Sequence, residues 1–351
     1  MAQNQISEAQ RAQNFAAATR QNLHMLPART VNNYGETVQF TFPKSRLLSK
    51  TFVKVDVKGD FTNKKTSGYK PYEILRRVSL SLNNGFEPFV ISGRDLAIMN
   101  SVRMNPAVIN TNTNGMVISS TDRNNTVLDN RIELADDGYS FVIELENVLS
   151  QRGLEGLILL QNESTQVTLS IDIATNGKGI TDEGTDITLE SIKITPMLQT
   201  WTIPNFTDAF PNLSVIKLVK SRTETLANAG EHILKLDVGT IYRKLVFFFT
   251  DENGNGVDIV NSNIEMIYNT ADTPISIDPD MLIFKNTSDF GYKFPKGMYV
   301  LDFSGYAGMS GLGTTRDMID TERLTEFWIR FSTSDGCKVT TIQENIARLR
   351  A

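Results

Sequence analysis

The chain has 351 residues, 40% of them apolar and 21% charged, a balance that allows a buried core in each of two domains and excludes a chain disordered by composition. Its 35 basic and 40 acidic side chains leave a formal net charge of -5, which excludes coating of nucleic acid by the whole surface while leaving room for a local basic face. The one cysteine, Cys337, excludes an intrachain disulfide and fits a reducing site of synthesis.

The opening segment 1–32 is a polar run rich in Gln, Asn and Ala. Ile6, Ala9, Phe15, Ala16, Ala17, Leu23 and Leu26 place one weakly apolar face on a helix, and Pro27 stops it. The segment is expected to be an N-terminal arm or helix, either crossing to a neighbour, lying toward an interior surface or fraying. The sequence Met1-Ala2-Gln3-Asn4-Gln5 lacks the basic and hydrophobic parts of an export signal, and no apolar run is long enough to span a bilayer, so membrane contact is expected to be peripheral.

From Val38 onward the chain reads as strands. Thr51 to Lys58 alternates apolar and polar positions. Arg76 to Leu82 does the same before the turn Asn83-Asn84-Gly85, and Phe86 to Ile91 resumes the pattern. Tyr139 to Leu145 and Gln166 to Ile173 follow, with a helix expected at Glu146 to Arg152. A linker is expected over 195–206. Beyond it, Val215 to Val219, Ile233 to Val238, Arg243 to Phe249, Met298 to Phe303 and Glu326 to Phe331 are strand-like, and 341–351 is expected to be a C-terminal helix or tail. Short strands separated by Asn, Gly and Asp turns favour an antiparallel sandwich over a βαβ plan, which would need repeated crossover helices.

The two halves echo each other in order. Tyr139 to Leu145 matches Met298 to Phe303, and Gln166 to Ile173 matches Glu326 to Phe331. Arg76 to Leu82 with its Asn-Gly turn is paired with Arg243 to Phe249 and the turn Asp251-Glu252-Asn253-Gly254. A repeat of this length points to a pseudo-symmetric building block rather than an enzyme with one cleft, the alternative being two unrelated sandwich domains whose strands look alike because period two is generic.

Catalytic and metal patterns are weak. His24 and His232 belong to no His-Glu-x-x-His or Cys/His arrangement. Asp251 to Gly256 begins like a calcium loop, but Ser262 stands where the closing glutamate belongs, so a turn is expected. Gly308 to Gly313 has the wrong spacing for a phosphate loop. Glu144 and Glu146 share a strand face if the alternation is unbroken, without defining acid and base roles. Asn162, Asn205 and Asn286 head chance glycosylation patterns. Lys217, Lys220 and Arg222 offer contacts to acidic lipid or a neighbouring subunit, but no aromatic-interleaved basic stripe forms a nucleic-acid groove.

The tandem β pattern, Leu75-Arg76-Arg77-Val78-Ser79-Leu80, Ile91-Ser92-Gly93-Arg94-Asp95-Leu96 and the strand Leu324 to Phe331 resemble the double jelly-roll major capsid proteins of tailless, membrane-containing bacteriophages, tectiviruses in particular. The resemblance implies an all-β fold of two tandem eight-stranded antiparallel jelly rolls, placed at 33–194 and 207–340, with short terminal and connecting helices. It also implies a homotrimeric, pseudo-hexagonal capsomer that tiles an icosahedral shell around an internal membrane and double-stranded DNA. The partners implied are neighbouring capsomers, penton and minor capsid or membrane proteins, and the lipid surface, with no cofactor and no sequence-specific nucleic acid. The implied location is the virion capsid, after synthesis in a bacterial host's cytoplasm. From strand placement and large apolar side chains, Phe86, Phe89, Phe206, Phe210, Tyr292 and Phe294 are candidate subunit-interface residues. Phe15, Arg20, Arg348 and Arg350 are candidates for the inner, membrane-proximal face. The alternatives are a surface or fibre-associated carbohydrate-binding jelly roll and, third, a cupin-like enzyme.

Overall fold

A computed structural model describes residues 7–66, 68–83, 85–103, 134–149, 154–161, 166–291, 294–305 and 317–348. The first half contributes α1 (Glu8–Ala18), β1 (Gln21–Met25), β2 (Arg29–Val31), β3 (Thr37–Thr41), β4 (Leu47–Gly59), β5 (Leu75–Leu82), β6 (Phe86–Ile91), α2 (Gly93–Arg103), β7 (Gly138–Glu146), β8 (Ile158–Leu159), β9 (Val167–Ile173) and β10 (Leu189–Trp201). The second contributes β11 (Val215–Leu226), β12 (Gly230–Leu236), β13 (Ile241–Thr250), β14 (Ile264–Tyr268), β15 (Asp272–Ile277), α3 (Pro279–Phe290), β16 (Met298–Asp302), β17 (Ile319–Asp320), β18 (Phe327–Thr333) and β19 (Cys337–Arg348).

Each half is a sandwich of the same topology. In the first, the sheet β1-β10-β4-β7 faces β6-β5-β9-β3. In the second, β11-β19-β13-β16 faces β15-β14-β18-β12. Element for element the orders coincide, with the β1–β2 edge in the place of β11. Even the short strands correspond, β8 against β4 and β17 against β13. Period-two alternation builds the inner faces: β9 reads buried at Val167, Leu169, Ile171 and Ile173, and β18 at Phe327, Ile329, Phe331 and Thr333. This is the double jelly-roll architecture expected from the sequence.

The repeat is in part assigned differently from the sequence expectation. The pairs β7 with β16 and β9 with β18 stand. The match of Arg76–Leu82 to Arg243–Phe249 does not: β5 corresponds to β14, and β13 corresponds to β4. An alternating strand before a glycine turn is generic, so local pattern matched two hairpins that occupy different sheets.

Four segments depart from the sequence expectation. The expected C-terminal helix at 341–351 is instead, through Arg348, the strand β19, held between β13 and β11. Ile342 and Ile346, four apart, share a face in a helix and in a strand alike, so their spacing could not choose. The expected linker at 195–206 is strand as far as Trp201. Pro196 is tolerated there because its missing N–H falls opposite the break between β1 and β2, where only its carbonyl is used, accepting from Leu26 N at 2.9 Å. The opening arm is helical only over α1, capped by Ser7, and becomes strands β1 and β2 by Gln21. Glu146 ends β7, and no helix follows in Asn147–Leu149.

Candidate assembly site at the seam between the rolls

The two rolls are joined by a backbone seam. β6, the edge of the first roll, pairs in parallel with β11, the edge of the second, through Phe89 with Val219 and Val90 with Lys220. The result is one nine-stranded sheet that runs through both rolls. Parallel strands cannot be joined by a tight turn, and here they are separated by more than a hundred residues, so only tertiary packing brings them together.

Helix α2 fills the angle beside this junction. Ten of its eleven residues are buried. Its Leu96, Ile98, Met99 and Val102 share one apolar cluster with Val246, Phe248, Met298 and Ile342 of the second roll's sheet. Arg94 donates to Glu73 at 3.1 Å, to Asp95 at 3.0 Å and to Thr340 Oγ1 at 3.0 Å, and its guanidinium lies over the Phe248 ring. A cleft of about 320 Å³ opens here, lined by Glu73, Arg76, Arg94, Asp95 and Thr223 among others. Both its carboxylates are taken by Arg94, which makes the cleft a structural joint rather than a poised acid–base pair.

A buried ionic network closes one end of the seam. Lys50 Nζ lies 2.9 Å from Glu144 and 2.8 Å from Glu146, and Arg103 reaches the same carboxylates at 3.2 and 2.7 Å. Lys217 bridges the rolls, 3.5 Å from Glu146 and 3.3 Å from Glu344, and Arg243 binds Glu344 at 2.5 Å and the Leu149 carbonyl at 2.6 Å. Burial opposes ionisation of Glu344, but the fields of Lys217, Arg243 and Lys244 outweigh it and hold its carboxyl down to about 2. Burial likewise opposes ionisation of Glu146, and Arg103, Lys217 and Lys50 together carry it well below the usual carboxylate range. Breaking one partner of such a network leaves an uncompensated buried charge.

The residues singled out from sequence are dispersed. Phe89 is 2% exposed and spent within the seam of its own chain, and Phe294 is buried against Phe290. Neither offers an outer surface. Phe86 and Phe206 are exposed and Phe210 half-buried; Tyr292 lies outside the described residues. Phe15 is buried edge-on against Trp201, 5.9 Å between centroids, and packs with Leu47 and Val148, so it anchors α1 to the first roll instead of facing lipid. Arg20 and Arg348 are exposed, and Arg350 lies outside the described residues.

Other motifs also resolve. Asp251 accepts from Asn253 N and Asn255 N, both at 2.8 Å, an Asx-type turn between β13 and β14. Asp278 caps α3 by accepting from Asp280 N and Met281 N. Asn286 is buried, and Gly308–Gly313 falls outside the described residues. Among the described residues no group of three or more His, Cys, Asp or Glu side chains could hold a metal ion, and no helix is long and apolar enough to cross a membrane.

Lys217, Arg243 and Glu344 went unrecognised as seam residues. One available signal was the paired strands Phe86-Glu87-Pro88-Phe89-Val90-Ile91 and Asp272-Thr273-Pro274-Ile275-Ser276-Ile277, each with proline third and isoleucine last, which would have set the repeat in correct register.

No protein-family model and no curated protein sequence matches the chain. Solved structures do match its fold. The STIV MCP superposes with a TM-score of 0.67 at 12% identity, covering 94% of this chain and 97% of that one. PBCV-1 VP54, fitted into a reconstruction of the virophage Sputnik, gives 0.66 at 10% identity, with 95% of each chain covered. The major capsid protein P2 from Bacteriophage PM2 gives 0.57 at 10% identity over 94% and 98%. The chain therefore has the double jelly-roll fold seen in viral major capsid proteins of several lineages.

Proposed function

We propose that this chain is a major capsid protein that forms homotrimeric, pseudo-hexagonal capsomers and tiles an icosahedral shell. The observation that carries the reading is the fusion of two rolls of identical topology, side by side, through a continuous sheet. Three such chains present six similar flanks, so a threefold particle fits sites surrounded by six neighbours. Fusion also keeps each pair of rolls permanently local.

The reading extends to a shell around an internal membrane and double-stranded DNA, in the manner of tailless bacteriophages. The fold itself, shared by the STIV and PM2 proteins, selects neither host nor lineage. The location of the basic termini supports an inward, lipid-facing end. Arg20 precedes β1 where it meets the end of β10, and Arg348 ends β19 where it meets the start of β11; these are corresponding ends of corresponding strand pairs. Neighbouring capsomers, penton and minor capsid proteins and acidic lipid headgroups are the proposed partners, and the role is structural rather than catalytic.

Light scattering on protein eluting from a size-exclusion column tests the reading. A mass three times the 39.2 kDa of the chain, stable across salt concentrations, supports it, and electron microscopy of assembly products follows. A persistent monomer that binds glycans would replace it with the carbohydrate-binding reading.

A further inference from the structure

The seam inside the chain has an unfilled counterpart on its outside. The two rolls can be placed in register residue by residue. In β5–β6 the partners Val78/Ile91, Ser79/Val90, Leu80/Phe89 and Leu82/Phe86 are repeated in β14–β15 as Ile264/Ile277, Glu265/Ser276, Met266/Ile275 and Tyr268/Asp272, with the bulge at the same step. In β4–β10 the partners Lys50/Gln199 and Leu48/Thr200 flank a bulge that recurs between Lys244/Glu344 and Tyr242/Asn345 in β13–β19. Val219 lies opposite Glu344 and Leu23 opposite Gln199; Lys220 lies opposite Gln343 and His24 opposite Leu198. Leu23 and His24 therefore stand in the first roll where Val219 and Lys220 stand in the second, and Ile275 and Ser276 stand where Phe89 and Val90 stand.

Burial separates these counterparts sharply. Val219 is 3% exposed under β6, whereas Leu23 is 60% exposed. Ile98 of α2 is fully buried, and its counterpart in α3, Phe284, is 71% exposed. The sheet face that α2 covers, with Val246, Met298 and Ile342, corresponds to a face carrying Phe52, Val142 and Met197 on the outside of the first roll. Of the nine large apolar residues most exposed among the described residues, five lie on these two free surfaces: Leu23, Met25 and Val142 on one, Met281 and Phe284 on the other.

Resting on the capsomer reading, we infer that a second copy of this chain occupies the free surface by repeating the internal seam. β15 of one copy pairs in parallel with β1 of the next, Ile275 beside Leu23 and Ser276 beside His24, while α3 lays Met281 and Phe284 over Phe52, Val142 and Met197. Pro274 does not block this pairing: Pro88 holds the same place in β6, and β6 pairs with β11 at the two residues that follow it. The contact is head-to-tail, so it leaves one used and one free surface per copy until a ring closes. Three chains, alternating internal and external seams, close a ring of six rolls.

The test is disulfide trapping in the full chain with Cys337→Ser, comparing His24→Cys plus Ser276→Cys with either substitution alone. The expected result under mild oxidation is a covalent three-chain species on a non-reducing gel from the double variant only. In parallel, Phe284→Asp is expected to reduce the mass in light scattering to one third while far-UV circular dichroism stays unchanged, because Phe284 touches solvent in the single chain. A trimer that forms but neither cross-links nor responds to Phe284→Asp overturns this interface and leaves the capsomer reading standing. A single-chain mass for the unaltered protein at every concentration and salt overturns the capsomer reading itself.

Discussion

Helices α2 and α3 occupy the same place in the two rolls, each following the strand that ends at Ile91 or Ile277, yet they live in different surroundings. α2 is buried on all sides, whereas α3 buries only Pro279, Leu282, Asn286 and Phe290, the last three a single stripe at four-residue spacing. The difference comes from neighbours. α2 is pressed between its own roll and the next one in the same chain; α3 has its own roll beneath it and, among the described residues, nothing above. Equal topology with unequal burial is the contrast that the proposed contact between copies would remove.

Substitution at the paired positions tests that comparison most strongly. Ile98→Ala is expected to cost about 2–5 kcal/mol, as for other fully buried aliphatic side chains, and Phe284→Ala about 0.5 kcal/mol or less in the single chain. Urea unfolding of both variants as monomers checks it, and equal losses would break the contrast. A comparable effect is expected at the ionic end of the seam. Glu344→Ala leaves Arg243 without its carboxylate partner and Lys217 with Glu146 alone and should cost about 3–5 kcal/mol, whereas its half-buried counterpart Gln199→Ala should cost about 0.5 kcal/mol or less.

Acid should act through the same carboxylates. Their folded-state pKa values are depressed, so the stability they contribute is fully present above the ordinary glutamate value of about 4.3. It is lost as pH falls from there toward about 2, where Glu344 takes up its proton. Thermal midpoints between pH 7 and pH 3 should fall for the native chain, and Glu344→Gln should flatten the slope. A slope unchanged by that substitution would assign the acid response elsewhere. The smallest effect is expected at the turn after β13. Asp251→Ala removes the carboxylate that accepts from the backbone N–H groups of Asn253 and Asn255 and should cost about 1 kcal/mol, and millimolar calcium should leave the thermal midpoint of the native chain where it is.

Much of the architecture was legible because a half-buried strand must alternate. β7, β9, β16 and β18 could be read as strands and paired across the halves correctly. The same rule failed at β5 and β13, since alternation says nothing about which sheet a strand joins. It failed again at β19, where Ile342 and Ile346 satisfy helix and strand equally. The candidate interface suffered from a related ambiguity. Phe86 and Phe89 sit three residues apart on one strand, and the fold exposes one and buries the other. Lys217 reads as a surface lysine until Glu146 and Glu344, contributed by distant strands of different rolls, are seen to converge on it.

The sequence by itself determined the class of the protein: alternating strands, turn chemistry at Asp251 and no disulfide, all consequences of local backbone and side-chain preference. Only the tertiary structure decided that β6 meets β11, that Arg103, Lys217 and Glu344 lose their water together, and that Leu23 and Phe284 keep theirs. Those outcomes depend on contacts between segments far apart in the chain, whose geometry is set by the packing of two whole rolls and by no short stretch of residues.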